Sequence, residues 1–401
     1  MKNINKIPQA KHYDYLVIGA GIMGLTIAYE LRIKHPEKTI AILEKEADVA
    51  LHASGRNSGV LHAGFYYSSD SLKARFTVSG NKLMKAFCHK HGIPVNACKK
   101  VVVASGKEEV EVLYELEQRG KKNGVDVMLI DEEELQTIEP NAKTYEKALY
   151  SPSTATVNPV EVCQKLKELL LKHSVDFYFN TKYKKRKRNT VTAGRQKFQA
   201  GFIINAAGLY ADVIAKDFGF SKDFTILPFK GLYLKYNGDD MPISTNIYPV
   251  PNAINPFLGV HYTLTANNHI KIGPTSTPAF WRENYNGFQN FNAKECLQIL
   301  YYELRLFFTN SFHFRTLTLS ELKKYNKKHF IRLAQKLTKT SRPEGFNQWL
   351  PPGIRAQLLH KKTLELITDF VIEGNCKSLH LLNAVSPAFT CSFALAKFIV
   401  N

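Results

Sequence analysis

Near the start of the chain, in "DYLVIGAGIMGLTIAYEL", residues Tyr15 to Ile18 form an unbroken apolar run. A run that short with no polar alternation predicts a strand buried on both faces of a parallel sheet. Glycines 19, 21 and 24 follow. Ile22, Leu25 and Tyr29 then recur at helical intervals, with Ala28 beside them, and a second apolar run, "TIAIL", ends in Glu44. Far downstream, Phe202 to Ile204 run into Ala206, Ala207 and Gly208 and then into an amphipathic helical pattern. "FLGVHYTLTA" alternates and turns at Asn267-Asn268 into "HIKIGPTS", which predicts a hairpin. In it His261 shares a face with Gly259 and Thr263, opposite Val260, Tyr262 and Leu264. The last apolar stretch, "AFTCSFALAKFIV" from 388, predicts a final helix that is too short to span a bilayer and carries Lys397. One stretch, "HASGRNSGVLHAGFYY" at 52 to 67, follows neither period.

Composition narrows the class. At 401 residues the chain exceeds one simple core, so two interleaved domains are expected. Its 25 Phe and 19 Tyr exclude a disordered chain. The net charge of +19 includes one dense run, "KYKKRKR" at 182 to 188. A solvated lysine-rich surface accounts for it. No RNA- or DNA-binding motif stands beside the run and no aromatics interleave it beyond Tyr183, which argues against nucleic acid. Peripheral contact with anionic lipid stays open. The six cysteines (88, 98, 163, 296, 376 and 391) show no C-x-x-C pair and no His/Cys cluster, so no metal is expected and reduced thiols are. "MKNINKIPQAKHY" has the character of neither a signal nor a transit peptide. The expectation is a cytoplasmic protein, with room for a peripheral position on the inner face of a membrane.

Gly19, Gly21 and Gly24 stand in G-x-G-x-x-G spacing between a strand and a helix, and Glu44 closes the next strand twenty residues on. The first glycine allows the tight turn, the second lets a pyrophosphate approach the backbone, and the third lets helix and strand pack closely. The helix N-terminus offers amide donors to phosphate, while Glu44 can accept from ribose hydroxyls and would repel a 2′-phosphate. The small residues Ala206, Ala207 and Gly208 would let a second backbone bend approach the same cofactor.

Together these segments resemble the FAD-dependent oxidoreductases of the D-amino-acid-oxidase type and, more narrowly, the L-2-hydroxyglutarate oxidase and dehydrogenase family. The narrow resemblance rests on "HASGRNSGVLHAGFYY" with "SLKA" at 71 to 74, "LYSPSTATVNP" (149 to 159), "INAAGLYAD" (204 to 212) and "LPFKG" (227 to 231). It continues through "NIYPVPNAINPFLGVHYT" (246 to 263), "GIRAQ" (353 to 357) and "LNAVSPAFTCSFALA" (382 to 396). The blocks keep the family's order over nearly the whole chain. Two departures stand out: a loosely matching Lys- and Phe-rich segment from about 290 to 345, and Ala155-Thr156 where the family usually shows Gly-Ile.

The resemblance implies a two-domain α/β fold. A Rossmann-like FAD domain would take 1–85, 150–225 and 350–401, and a mostly antiparallel α+β substrate domain 86–149 and 226–349. It implies FAD cradled by Ser54, Arg56, Asn57, Ser58 and Gly59, with Ser386, Pro387 and Ala388 closing the site ahead of a helix whose N-terminus favours developing negative charge. It further implies oxidation of a 2-hydroxy dicarboxylate, L-2-hydroxyglutarate or a relative, by hydride transfer to flavin. The hydroxyl proton would go to a histidine base titrating near neutral pH. His62 and His261 are the candidates, and His52 and the others are read as structural. Lys230, Arg355 and Arg282 are the candidate carboxylate cations. Tyr66 lies at the expected mouth of the site, and Tyr248 is a candidate hydroxyl donor. Oxygen, a quinone or a carrier protein would take the electrons. The competing readings are an oxidase or dehydrogenase for an amino acid or glycerol phosphate, a basic RNA-binding flavoprotein, and an FAD protein that has lost catalysis.

Overall fold

A computed structural model describes residues 10–238, 240, 243–252 and 257–401. The polar start of the chain and residues 253–256 of the block at 246 to 263 lie outside the described residues.

The first strand, β1 (Lys11–Ile18), goes from exposed to fully buried along its length. It leads through the glycine turn into helix α1 (Ile22–Lys34) and back to β2 (Ile40–Leu43), which is buried at every position. β2 is buried because it lies inside a parallel sheet, between β1 and the strand Val175–Tyr178. On its other side β1 runs parallel to Gln196–Asn205, whose far end pairs in parallel with Ser378–Leu381. An antiparallel extension, Thr190–Ala193 and Tyr183–Lys187, carries the basic run out to the edge of this sheet.

α1 packs into a shared core with the helices Leu72–Lys90, Pro159–Lys172 and Ala388–Val400. The sequence prepares these helices at their ends. Ser71 accepts from the Ala74 amide at 3.1 Å, and Asp369 accepts from the amides of Leu72 and Lys73 at 2.7 and 3.0 Å. Those bonds satisfy donors that a helix start otherwise leaves open.

A second sheet of eight strands is mostly antiparallel. It contains the predicted hairpin, His261–Leu264 against Ile270–Gly273, with His261 opposite Gly273 and Thr263 opposite Lys271. Tyr262, Leu264, Ile270 and Ile272 face a core of their own, which leaves His261 on the other side. Between the two large sheets Phe224–Gly231 pairs antiparallel with Gly353–His360 along its whole length. The loosely matching segment folds as three helices, Ala293–Thr309, Phe314–Lys323 and Lys327–Gln335.

Candidate active site

A cavity of about 620 Å³ runs from the glycine turn to the hairpin. At one end lie Gly19, Gly21 and Glu44. The Glu44 carboxylate is held by two backbone amides, Ala20 N–H at 2.8 Å and Glu46 N–H at 2.9 Å, with its remaining lone pairs available. Gly19 has φ +106°, and a Cβ there would meet the Ala206 carbonyl oxygen at 2.6 Å, so the two small-residue bends do approach each other. Gly21 lines the cavity, and a Cβ on it would lie 3.0 Å from Ser54 Oγ. Gly24 does not line the cavity. A Cβ there would come within 1.9 Å of the Gly19 carbonyl oxygen, so this glycine serves helix packing.

The unperiodic stretch from 52 is a succession of turns held by its own polar groups. Ser54 Oγ accepts from the Ile22 amide at 2.9 Å. Asn57 donates to the carbonyls of Ala53 and Ser54 and accepts from the Gly59 amide at 2.8 Å. Arg56 donates to the Leu51 carbonyl at 2.8 Å and lies 4.3 Å from the Tyr285 ring. Ser54, Arg56, Asn57 and Ser58 all line the cavity, as do Ala206, Ala207, Gly208, Ser386, Pro387 and Ala388. Gly59 does not. It has φ +76° and sits against the Val157 carbonyl, where a Cβ would approach to 2.3 Å.

His62, His261, Tyr248 and Arg355 line the cavity as well. His261 stacks on Tyr248 with ring centroids 3.6 Å apart, and its Nδ1–H donates to the Gly259 carbonyl at 2.8 Å. A carbonyl can only accept, so the tautomer is fixed and Nε2 keeps its lone pair. Burial, with Lys100 and other cations nearby, pushes the His261 imidazole down to about 3. His62 is likewise held well below its ordinary value, first by burial, then by Lys100 and His261. The expectation of an imidazole titrating near neutrality is therefore corrected. Both rings are neutral at physiological pH because they are dry and face a cation.

The structure separates the expected substrate cations. Arg355 lines the cavity, 4.7 Å from the Phe257 ring, with Tyr233 and Tyr67 acting on it. Glu321, the carboxylate that also acts on it, is already engaged by Lys324 and by the Ser276 amide. Arg282 reaches the cavity wall, but its guanidinium makes a bidentate pair with buried Asp212 at 2.7 and 2.9 Å. Lys230 turns away and donates to Asn284 at 3.3 Å, because strand alternation gives the cavity to Phe229 and Gly231. Tyr66 also lies off the cavity, packed on Phe65 at 4.3 Å beside Lys100.

Two residues escaped the sequence reading. Lys100 is fully buried behind the Tyr248–His261 stack, and its Nζ has no hydrogen-bond partner among the described residues. Its signal was a lysine opening the apolar run "KVVV", easily taken for a surface strand end. Tyr233 lines the cavity beside Ser58 and Arg355, and nothing in its sequence context marks it. His52 belongs to a polar network with Tyr285, Glu46 and Lys45. Glu46, His52 and Glu283 come together as metal ligands could, but the Lys45 ammonium pairs with both carboxylates and offsets part of their charge.

A parallel-sheet glycine turn, a carboxylate just past the second strand and a two-histidine pocket under a second sheet define a flavin-dependent oxidoreductase. The chain belongs to the FAD dependent oxidoreductase family, whose model matches residues 14–399, and its cofactor is FAD. Within that family the chain is 34% identical over 397 residues to the L-2-hydroxyglutarate dehydrogenase of Escherichia coli K12, covering 97% of this chain and 92% of that protein. It is 36% identical over 421 residues to the mitochondrial L-2-hydroxyglutarate dehydrogenase of Caenorhabditis briggsae, with coverage of 97% and 92%. Among solved structures it is similar to L-alpha-glycerophosphate oxidase from Mycoplasma pneumoniae with FAD bound, with a TM-score of 0.76, 20% identity and coverage of 97% and 94%. Glycine oxidase from Geobacillus kaustophilus gives a TM-score of 0.69 at 18% identity, with coverage of 98% and 94%. At those identities the two structures establish the shared fold.

Proposed function

We propose that the protein oxidises L-2-hydroxyglutarate to 2-oxoglutarate. The observation that carries this reading is one cavity lined both by two neutral imidazoles and by a guanidinium that no carboxylate of the described residues pairs. An anionic hydroxy acid supplies both the charge that Arg355 lacks and a hydroxyl proton for an imidazole to accept.

FAD supplies the hydride-accepting centre when bound. Glu44 would hold its ribose, and Gly19, Gly21 and the bend at Ala206 to Gly208 leave room for the pyrophosphate. Ser54 to Ser58 and Ser386 to Ala388 would flank the remainder. Arg355 would orient the carboxylate next to the reacting carbon, and Tyr233 and Tyr248 would wall the pocket. His261 is the better base of the two: with Nδ1–H tied to Gly259, Nε2 is pre-set to take the hydroxyl proton as the carbon–oxygen double bond forms. The anionic substrate offsets the positive charge this creates beside Lys100. The electron acceptor is read as oxygen, a quinone or a carrier protein.

Steady-state product formation tests the reading. The purified holoenzyme is offered L-2-hydroxyglutarate, its D-enantiomer, lactate, glycine and glycerol 3-phosphate with a soluble dye acceptor. 2-Oxoglutarate formed from the L-acid at a far higher kcat/KM than any other turnover supports it. Preferred turnover of glycine or glycerol 3-phosphate overturns it.

A further inference from the structure

The helices Ala293–Thr309 and Phe314–Lys323 carry an outward face that the oxidation chemistry does not use. On the first, Leu297, Tyr301, Leu304 and Phe308 are 71%, 55%, 53% and 73% exposed. Their spacing of four, three and four residues puts them on one stripe of the helix. Ile299, Glu303 and Leu306 hold the opposite side against the protein. The second helix repeats the arrangement: Leu319 and Leu322 are exposed, while Leu317 and Glu321 are buried. Phe288, 84% exposed, and Phe291 extend the apolar surface just ahead of the first helix. Scattered exposed leucines need no explanation, but large side chains grouped on adjoining helices mark a contact surface.

The charges beside this surface identify what it meets. Residues 290 to 342 hold eleven basic and three acidic side chains. Glu303 and Glu321 are buried, and Glu295 lines the cavity, so the carboxylates are withdrawn from the outer face. Arg315 and Lys323 remain exposed on the second helix and Lys328 just beyond its end, while Lys294, like Glu295, lines the cavity. A second copy of this chain docked face to face would set these cations against one another. An anionic bilayer satisfies both features, because it accepts apolar side chains into its boundary and attracts the surrounding lysines.

We infer that this helical pair is the docking face by which the protein lies on an anionic phospholipid surface. No helix among the described residues is long and apolar enough to cross a membrane, so the contact is one of lying on the bilayer. The inference does not depend on the substrate.

The test uses the full-length holoenzyme and vesicles of pure phosphatidylcholine, or of phosphatidylcholine with one third phosphatidylglycerol. Sedimentation at low salt should carry the protein down with the anionic vesicles and leave it in solution with the neutral ones. The double variant Leu304→Ser/Phe308→Ser should weaken that partition at least tenfold while keeping its bound flavin and dye-linked turnover. Lys323→Glu/Lys328→Glu should weaken it similarly. Lys185→Glu/Lys187→Glu, in the basic run at the edge of the parallel sheet, should change it little. Absence of binding to anionic vesicles overturns the inference. So does loss of binding only in the Lys185/Lys187 variant, or a self-association that the Leu304/Phe308 variant abolishes.

Discussion

The ammonium of Lys100 lies 4.0 Å from the ring centroid of Tyr248, on a side chain with no exposed surface. Tyr248 in turn stacks on His261, so a cation, a phenol ring and the candidate base form one layered unit. Phe65 and Tyr66 close around the same ammonium at 5.6 and 5.3 Å. Burial brings Lys100 down to about 7, and its charge acts on both histidines. The arrangement holds the imidazoles neutral, which leaves Nε2 of His261 unprotonated.

Lys100→Met should therefore move the acid limb of the kcat/KM–pH profile to higher pH, since removing the cation lets the imidazoles protonate sooner. The similar volume of the side chains keeps the expected loss of stability below about 1.5 kcal/mol. The pH profile, with thermal unfolding as control, checks both parts. An unmoved limb would detach Lys100 from the histidines.

His261→Gln should lower kcat by roughly 10²- to 10⁴-fold, the usual contribution of a positioned base, with bound flavin retained. His62→Gln should cost less. Stopped-flow reduction of the flavin separates these effects from product release, and a larger loss at His62 would exchange the two roles.

Arg355→Gln should raise KM for the dicarboxylate and lower kcat/KM by about ten- to a hundredfold, the cost of one charge-assisted hydrogen-bonding partner. Lys230→Gln should leave KM nearly unchanged, because its ammonium turns to Asn284. Parallel kinetics of the two variants make the comparison.

Arg282→Ala should destabilise the fold by about 3–5 kcal/mol, because it removes the bidentate partner of the buried Asp212 carboxylate and leaves it Lys216 at 3.5 Å. Arg282→Met with Asp212→Leu should recover much of that loss. Denaturant unfolding of the three proteins measures it.

Acid should also weaken the fold through the histidines. His261 is at about 3 in the folded protein against an ordinary value of 6.5, so the unfolded chain binds its proton first. Its contribution is fully present above pH 6.5 and is lost as pH falls toward 3. Unfolding midpoints across that window should fall more steeply for the wild type than for His261→Gln.

Local pattern was enough to place β1, the glycine turn, α1, β2 and the hairpin carrying His261, because each is a short segment whose period or glycine spacing dictates its conformation. Alternation also put His261 opposite Tyr262 without knowledge of the sheet. The same rule, left unapplied to "LPFKG", would have turned Lys230 away once Phe229 and Gly231 were assigned to the cavity. Arg282 could not be sorted this way. Its partner Asp212 lies seventy residues earlier, and only the folded chain brings the two together. Lys100 was hidden for a different reason: a lysine at a strand's first position ordinarily reaches water, and here three aromatic rings cover it.

The most direct measurement is anaerobic titration of the FAD holoenzyme with L-2-hydroxyglutarate while the flavin's visible absorption is followed. Rapid bleaching by the L-acid, with little or none by D-2-hydroxyglutarate, lactate, glycine or glycerol 3-phosphate, is the predicted result. A flavin that the L-acid leaves oxidised while another of these compounds reduces it would contradict the account.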